Sequence, residues 1–384
     1  MTVVRGGTVL TPHRLLEDHA LVIHGERVAA VLPAAEAPPP AAGDVDAAGG
    51  WVAPGFVDVH VHGGGGHDTM DATHDALAGM SAHLARHGVT AFLATTVSAS
   101  REAIADALAA IAEASDLPGA RLLGAHLEGP YLNPDHRGAQ DPAALRLPAP
   151  AEYEAWFARG PVRMMTLAPE LDGALELIRA GRARGVRFSA GHSGAAYEEL
   201  VAAADAGLAH ATHTFNGMPP LHHREPGLVG GVLTDERIIA EVIADGVHVH
   251  PAVVRLLVQA KGPDRVVLVS DAIRATGMPD GTYALGGQEV AVRDGVCRTA
   301  AGSLAGSTLT LDRAVANLVE QAGVPLPDAV CMATATPAAV LGGLELGALT
   351  TGARADVVVL DSRLRVRTTV VAGEIVYAGE RTST

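Results

Sequence analysis

Pro54–Gly66, "PGFVDVHVHGGGG", sets two histidines one residue apart at the end of an apolar run and follows them with glycines. On a strand, alternate residues share a face, so Phe56, Asp58, His60 and His62 look one way and Val57, Val59 and Val61 the other. One face is greasy and the other carries chemistry. That asymmetry suits a strand whose outer side packs against helices and whose inner side opens into a site, with the glycines letting the backbone turn sharply beyond it. A histidine pair also occurs buried in ordinary strands, and neutral imidazole is the commonest metal ligand. The choice falls to the rest of the chain.

Working outward, short apolar runs alternate with Ala-rich amphipathic segments from residue 54 to about 345, the pattern of β/α units around a parallel sheet. Eight such runs are present: 56–61, 89–97, 122–129, 163–170, 187–193, 210–216, 238–246 and 266–272. Stretches such as "THDALAGMSAHLARHG" and "SREAIADALAAIAEAS" supply helices between them. The weakest unit is 217–237, where "GMPPLHHREPGLVGG" is Pro/Gly loop chemistry in place of a clean helix. Eight units point to a (β/α)8 TIM-type barrel spanning 54–345. Residues 1–53 and 346–384 read instead as alternating strands with Gly-containing hairpins, and "APPPAAG" at 37–43 reads as a linker. Two β segments flanking a barrel most simply pair with each other, giving a small β-sandwich domain built from both termini.

Composition narrows the class. The 384 residues are 48% hydrophobic and 18% charged, a globular balance. A net charge of -15 argues against nucleic acid or an acidic membrane as partner, and any anionic ligand needs a local basic cluster. Two cysteines, Cys297 and Cys331, are too few for a disulfide framework. With no signal-peptide core at the N-terminus and no apolar run long enough to span a bilayer, a soluble cytoplasmic protein is expected.

Chemistry in such barrels sits where the strands end. Here they end in His60 and His62, in His126 and Glu128, in His192, in His213 and in Asp271. Histidines and carboxylates converging on one mouth form a ligand set for zinc, or for iron, manganese or cobalt. The only lysine is Lys261, in the helical stretch before strand eight, so strand four lacks a lysine that could be carbamylated to bridge two metals. Bridging then falls to Glu128, and Asp271 is left as the proton carrier.

The segments "PGFVDVHVHG", "HLEGPYLNP", "GHS", "THTFNGMPPLHHREPG", "ADGVHV", "VSDA" and "LAGSTLT" together resemble the amidohydrolase superfamily and, within it, the N-acetylglucosamine-6-phosphate deacetylases. The HxH is widely shared, whereas "HLEGP" with "TH-x-FN-x-M" and "ADG-x-HV" is specific. The resemblance implies that Glu128, His192 and His213 hold the main metal, and that His60 and His62 permit a second, giving one or two divalent ions per subunit. It makes Asp271 the general base and acid, Asn216 and Gly217 sugar contacts, and His248 a substrate-binding residue. Arg224, with His222 or His223 beside it, matches a phosphate-binding loop supplied across a homodimer interface. One position departs: "RGAQDP" puts Gln140 where a substrate-contacting histidine is expected.

The resulting expectation is metal-dependent hydrolysis of the acetamide of N-acetylglucosamine 6-phosphate. The galactosamine epimer, a cyclic imide or a dipeptide are alternative substrates, the absent lysine arguing against cyclic amides and the Arg224 loop for an anion. A metal-stabilised barrel without turnover is a third reading. Asp271 speaks against it, since a structural metal site needs no spare proton carrier.

Overall fold

All eight apolar runs form strands, and the sheet they build takes them in chain order. The structure, a computed structural model, describes residues 1–11, 14–343 and 345–379. The parallel strands are Phe56–Val61, Val89–Thr96, Arg121–Glu128, Val162–Leu167, Arg187–Ala190, His210–Ala211, Ile239–Val242 and Val266–Leu268, each hydrogen-bonded to its neighbours in sequence. The circle closes just beyond strand eight, where Asp271 N donates to His60 O (2.9 Å) and His62 N donates to Ala272 O (2.9 Å). Closure therefore happens at the HxH itself, and it sets the expected acid beside the expected histidines.

Outside the barrel, helices bury one stripe each against the sheet. The first, His74–Ala85, is capped by Thr73, whose hydroxyl accepts from Ala76 N, and buries Leu77, Met80 and Leu84. The next, Arg101–Glu113, is capped by Ser100 and buries Ile104, Leu108 and Ile111. A cap contributes about 1 kcal/mol, and each large apolar side chain about 1.5–3 kcal/mol. Packing thus outweighs local propensity. That is why the weak unit still closes: after the loop, Gly227–Thr234 forms a helix despite its glycines, burying Leu228, Val229 and Val232. A Cβ on Gly231 would lie 2.5 Å from Leu200 Cδ2, so the close approach of two helices requires the residue that weakens the helix locally.

Inside the barrel the layer beneath the mouth is polar and hydrogen-bonded. His126 Nε2 meets Thr166 Oγ1 at 2.8 Å, Thr166 Oγ1 meets Thr212 Oγ1 at 2.7 Å, and Thr212 Oγ1 meets Ser189 Oγ at 2.5 Å. Asp58 lies in the same interior, accepting from Ser270 Oγ at 2.6 Å.

Two larger sheets and a two-stranded ribbon, Gly63–Gly64 paired with His67–Asp68, complete the molecule. Trp51–Pro54 pairs antiparallel with Val357–Leu360 and parallel with Thr2–Thr11, so the two ends of the chain share one continuous eight-stranded sheet. The sheet curls until Val28 exchanges backbone hydrogen bonds with Gly352 and Ala353, enclosing a core that includes Val4, Val9, Leu21, Ile23, Val357 and Val359. Residues 12–13 and 380–384 of the expected terminal domain lie outside the described residues. The other sheet, Gly281–Leu285, Gln288–Arg293 and Val296–Thr299, is an antiparallel meander inserted after strand eight that the sequence reading passed over. Its first turn reaches over the barrel mouth: a Cβ on Gly286 would sit 2.6 Å from Val97 Cγ2. Among the described residues no helix is long and apolar enough to cross a membrane.

Candidate active site

Glu128 is the hub of the mouth. Its Oε1 lies 3.1 Å from His192 Nε2, 3.1 Å from His213 Nε2 and 3.6 Å from His60 Nε2. Its Oε2 lies 3.3 Å from His62 Nε2. Asp271 Oδ1 completes the group, 3.4 Å from His60 Nε2 and 3.2 Å from His62 Nε2. Two triads, His60–His62–Glu128 and Glu128–His192–His213, can each gather one ligand atom per residue around an ion, and they share Glu128. All of these side chains are buried. His192, His213 and Asp271 adopt left-handed backbone (φ 50°, 28° and 47°), conformations that L residues tolerate only when the surroundings hold them there.

The arrangement asks for positive charge. The Nε2 atoms of His192 and His213 are 3.1 Å apart and those of His60 and His62 3.3 Å apart, and two lone pairs at that distance need a proton or a cation between them. Burial favours the neutral form of every group, yet the carboxylates win. His62 is pushed up to about 9 by Asp271 and Glu128 against burial, and His60 and His192 also rise above the usual imidazole range, against burial, through their neighbouring carboxylates. Glu128 and Asp271 fall below the usual carboxylate range, against burial, because of the same histidines. A divalent ion delivers that charge without protons, and imidazole with carboxylate is a fitting donor set for one. His192 further fits: its Nδ1 is fixed against His136 O at 2.9 Å, which aims Nε2 at Glu128.

The triads form the floor of a cavity of about 200 Å³ whose wall includes Gln140, Asn216, Gly217 and His248. His248 Nδ1 is held by Asp245 Oδ2 at 2.7 Å, and Asn216 Nδ2 donates to His213 O at 3.1 Å. A Cβ on Gly217 would come within 3.0 Å of His192 Nδ1 and 3.1 Å of His136 O, so that wall closes only with glycine. Gln140 does more than line the cavity. Its Oε1 accepts from Ser98 N (2.7 Å) and its Nε2 donates to Glu128 Oε2 (2.7 Å), spanning strand two and the hub carboxylate. Leu285 and Gly286 of the inserted meander close the wall against Val97, which follows strand two.

Three expected contacts are not brought to this cavity by the chain's own fold. His222, His223 and Arg224 are exposed, and Arg224 Nη1 lies 2.8 Å from His223 Nε2. Among the described residues, no Lys or Arg lines the cavity. His126, at the same strand end as Glu128, sits one layer down, where burial first and the nearby His60 second push it down to about 3. It belongs to the barrel interior. The sequence reading missed Glu241, fully buried on strand seven within "IIAEVIADG". A charged residue inside an apolar barrel run was the signal, because an unpaired buried carboxylate is too costly to keep without partners.

Comparison with known proteins agrees with this geometry. Residues 51–376 match the Amidohydrolase family. The chain is 44% identical to an N-acetylgalactosamine-6-phosphate deacetylase of Escherichia coli O157:H7, across 97% of this chain and 98% of that protein. It is 45% identical to an N-acetylglucosamine-6-phosphate deacetylase of Vibrio furnissii, across 84% of this chain and 82% of the relative. Its structure is similar to that of a mutant N-acetyl-D-glucosamine-6-phosphate deacetylase from Mycobacterium smegmatis in complex with N-acetyl-D-glucosamine-6-phosphate, with a TM-score of 0.91, 40% identity, and coverage of 98% of this chain and 99% of the other.

Proposed function

Because this chain belongs to the amidohydrolase family, we propose that it is a metal-dependent deacetylase that converts N-acetylglucosamine 6-phosphate to glucosamine 6-phosphate and acetate. The observation that carries this reading is the pair of triads sharing Glu128, with Asp271 Oδ1 beside them, on the floor of a sugar-sized cavity. Glu128, His192 and His213 would hold the main ion, and His60 and His62 with Glu128 would hold a second. Zinc fits these donors best, with iron, manganese or cobalt as substitutes. When bound, the ion supplies a Lewis acid and makes water acidic enough to attack near neutral pH.

The residues of the chain do the rest. The Asp271 carboxylate takes a proton from the attacking water as the new C–O bond forms at the acetyl carbon. It returns that proton to the amide nitrogen as the C–N bond breaks, so that a neutral amine leaves. Asn216, Gly217 and His248 orient the sugar, and Gln140 holds Glu128 while its remaining amide hydrogen faces the substrate side. A phosphate carries nearly two negative charges, yet no described Lys or Arg lines the cavity. Arg224 of the partner subunit in a homodimer, with His222 beside it, answers that need. The division into a barrel of 54–345 and a terminal domain of 1–53 and 346–384 belongs to the same reading, supported by an apolar cluster formed by the terminal segments alone, while Leu10, Ala53, Val358 and Leu360 join that domain to the barrel core; a cytoplasmic site of action belongs to it too.

The galactosamine epimer is a second reading, favoured by the near full-length likeness to the E. coli enzyme. Acetate release from both 6-phosphates, with zinc and after chelation, tests the two together. Turnover of the gluco substrate that disappears on chelation is expected. Release from the galacto epimer alone moves the assignment to the second reading, and release from neither removes both.

A further inference from the structure

Glu241 lies on strand seven with its side chain fully buried, and three groups converge on its carboxylate. His60 Nδ1 is 3.0 Å from Oε2, and His213 N donates to the same oxygen at 3.1 Å. His210 Nε2 is 3.0 Å from Oε1. A carboxylate only accepts, so the rings facing it must donate. His60 therefore carries a hydrogen on Nδ1 and turns Nε2 toward His62, Glu128 and Asp271, where an ion can take the place of a proton. The same oxygen ties down the backbone of His213, a residue of the other triad held at φ 28°. One carboxylate, remote in sequence from both, thus touches both halves of the site.

We propose that Glu241 is the positioning residue of the two-ion centre: it fixes the ring of His60 in the tautomer that ligates, and it holds the turn that presents His213. His210 completes the support from below. Among the described residues its Nδ1 has no partner and its ring's one polar contact is with Glu241, so it serves to orient the carboxylate and not to meet an ion. The arrangement is that of an imidazole ligand backed by a carboxylate, whose removal typically weakens metal affinity about 10- to 100-fold. The effect differs between the triads. His60 loses its orienting acceptor outright, whereas His213 loses a backbone contact while its ring still faces Glu128 and His192.

This inference rests on the reading of the cluster as a two-ion centre, and its test reads metal and not turnover. Chelator-stripped protein is titrated with Co(II), followed by visible absorption and by elemental analysis. Wild type is expected to take up two ions per chain. Glu241→Ala should keep one ion tightly and bind the second about 10- to 100-fold more weakly. Glu241→Gln should restore most of the second site, because its carbonyl oxygen can accept from both His60 Nδ1 and His213 N. Should Glu241→Ala fail to fold, the wild-type protein decides the matter alone. With 15N-histidine labelling and two equivalents of zinc, His60, assigned by its loss in His60→Asn, should show its proton on Nδ1. A wild type that binds one ion only, an alanine variant that binds both as tightly as wild type, or a His60 protonated on Nε2 overturns the proposal. Acetate release that persists in any of these cases leaves the deacetylase reading standing.

Discussion

The floor of the cavity and the 222–224 loop treat their polar side chains in opposite ways. On the floor, Glu128 meets four imidazoles and the amide of Gln140, and every member is buried. In the loop, His222, His223 and Arg224 are exposed and touch mainly one another. The first region is a buried network and the second an exposed one. Bond-making chemistry requires fixed geometry before substrate arrives, whereas an exposed cation on a Pro/Gly-framed loop gains its meaning only when something is brought to it.

Asp271→Asn strikes the floor and carries the largest expected effect. Turnover should fall by about two to four orders of magnitude, the scale of a lost acid–base group, while elemental analysis still finds the main ion bound. Near-normal turnover at normal metal content would remove Asp271 from proton transfer. Arg224→Ala strikes the loop. It should lower kcat/KM about 10- to 100-fold on the 6-phosphate, the scale of a lost charge-assisted hydrogen bond, and leave the unphosphorylated sugar nearly unaffected. If the loop acts across subunits, mixing Asp271→Asn with Arg224→Ala protein should regenerate activity after subunit exchange. Equal losses on both sugars, or no recovery on mixing, would dissolve the contrast between the regions.

Gln140 sharpens the same contrast at its border. Gln140→Ala takes a donor from Glu128 Oε2, and a hydrogen bond to a charged group is worth about 1.5–3 kcal/mol, so kcat should fall by roughly tenfold or more. Gln140→His should be tolerated, since an imidazole can accept from Ser98 N at one nitrogen and donate to Glu128 at the other. Unchanged kcat in the alanine variant would show that Glu128 is held without it.

The smallest effect concerns stability alone. Burial pushes the Asp58 carboxyl up to about 6, against the hydrogen bonds from Ser270 and His60 N. The folded protein binds this proton more tightly than the unfolded chain does. The contribution of Asp58 to stability is therefore full below its ordinary value of 3.8 and is lost as pH rises through about 6. A shift of about two units corresponds to roughly 3 kcal/mol at most. Asp58→Asn should gain on wild type by up to that amount between pH 4 and 7 in denaturant unfolding at matched metal content. A difference that does not vary with pH would mean that Asp58 is ionised throughout.

The sequence by itself determined the eight barrel strands, the shared face of His60 and His62, and Glu128, His192, His213 and Asp271 as the cluster at the mouth. These were legible because strand alternation and the rule that barrel chemistry sits at strand ends are local: each can be read within a few residues. Tertiary structure alone decided what holds the cluster. Glu241 reaches His60 across 181 residues of chain, and Gln140 joins Ser98 N to Glu128 from a loop with no periodicity to read. It also decided that His126 turns from the mouth into the barrel interior, that the glycine-rich 227–234 segment is a helix, and that the inserted meander covers the cavity wall. Each of these depends on contacts between segments distant in sequence. The residue types involved, a buried acid, an amide and a run of glycines, carry no local preference strong enough to announce such partners, which exist only once the barrel has closed.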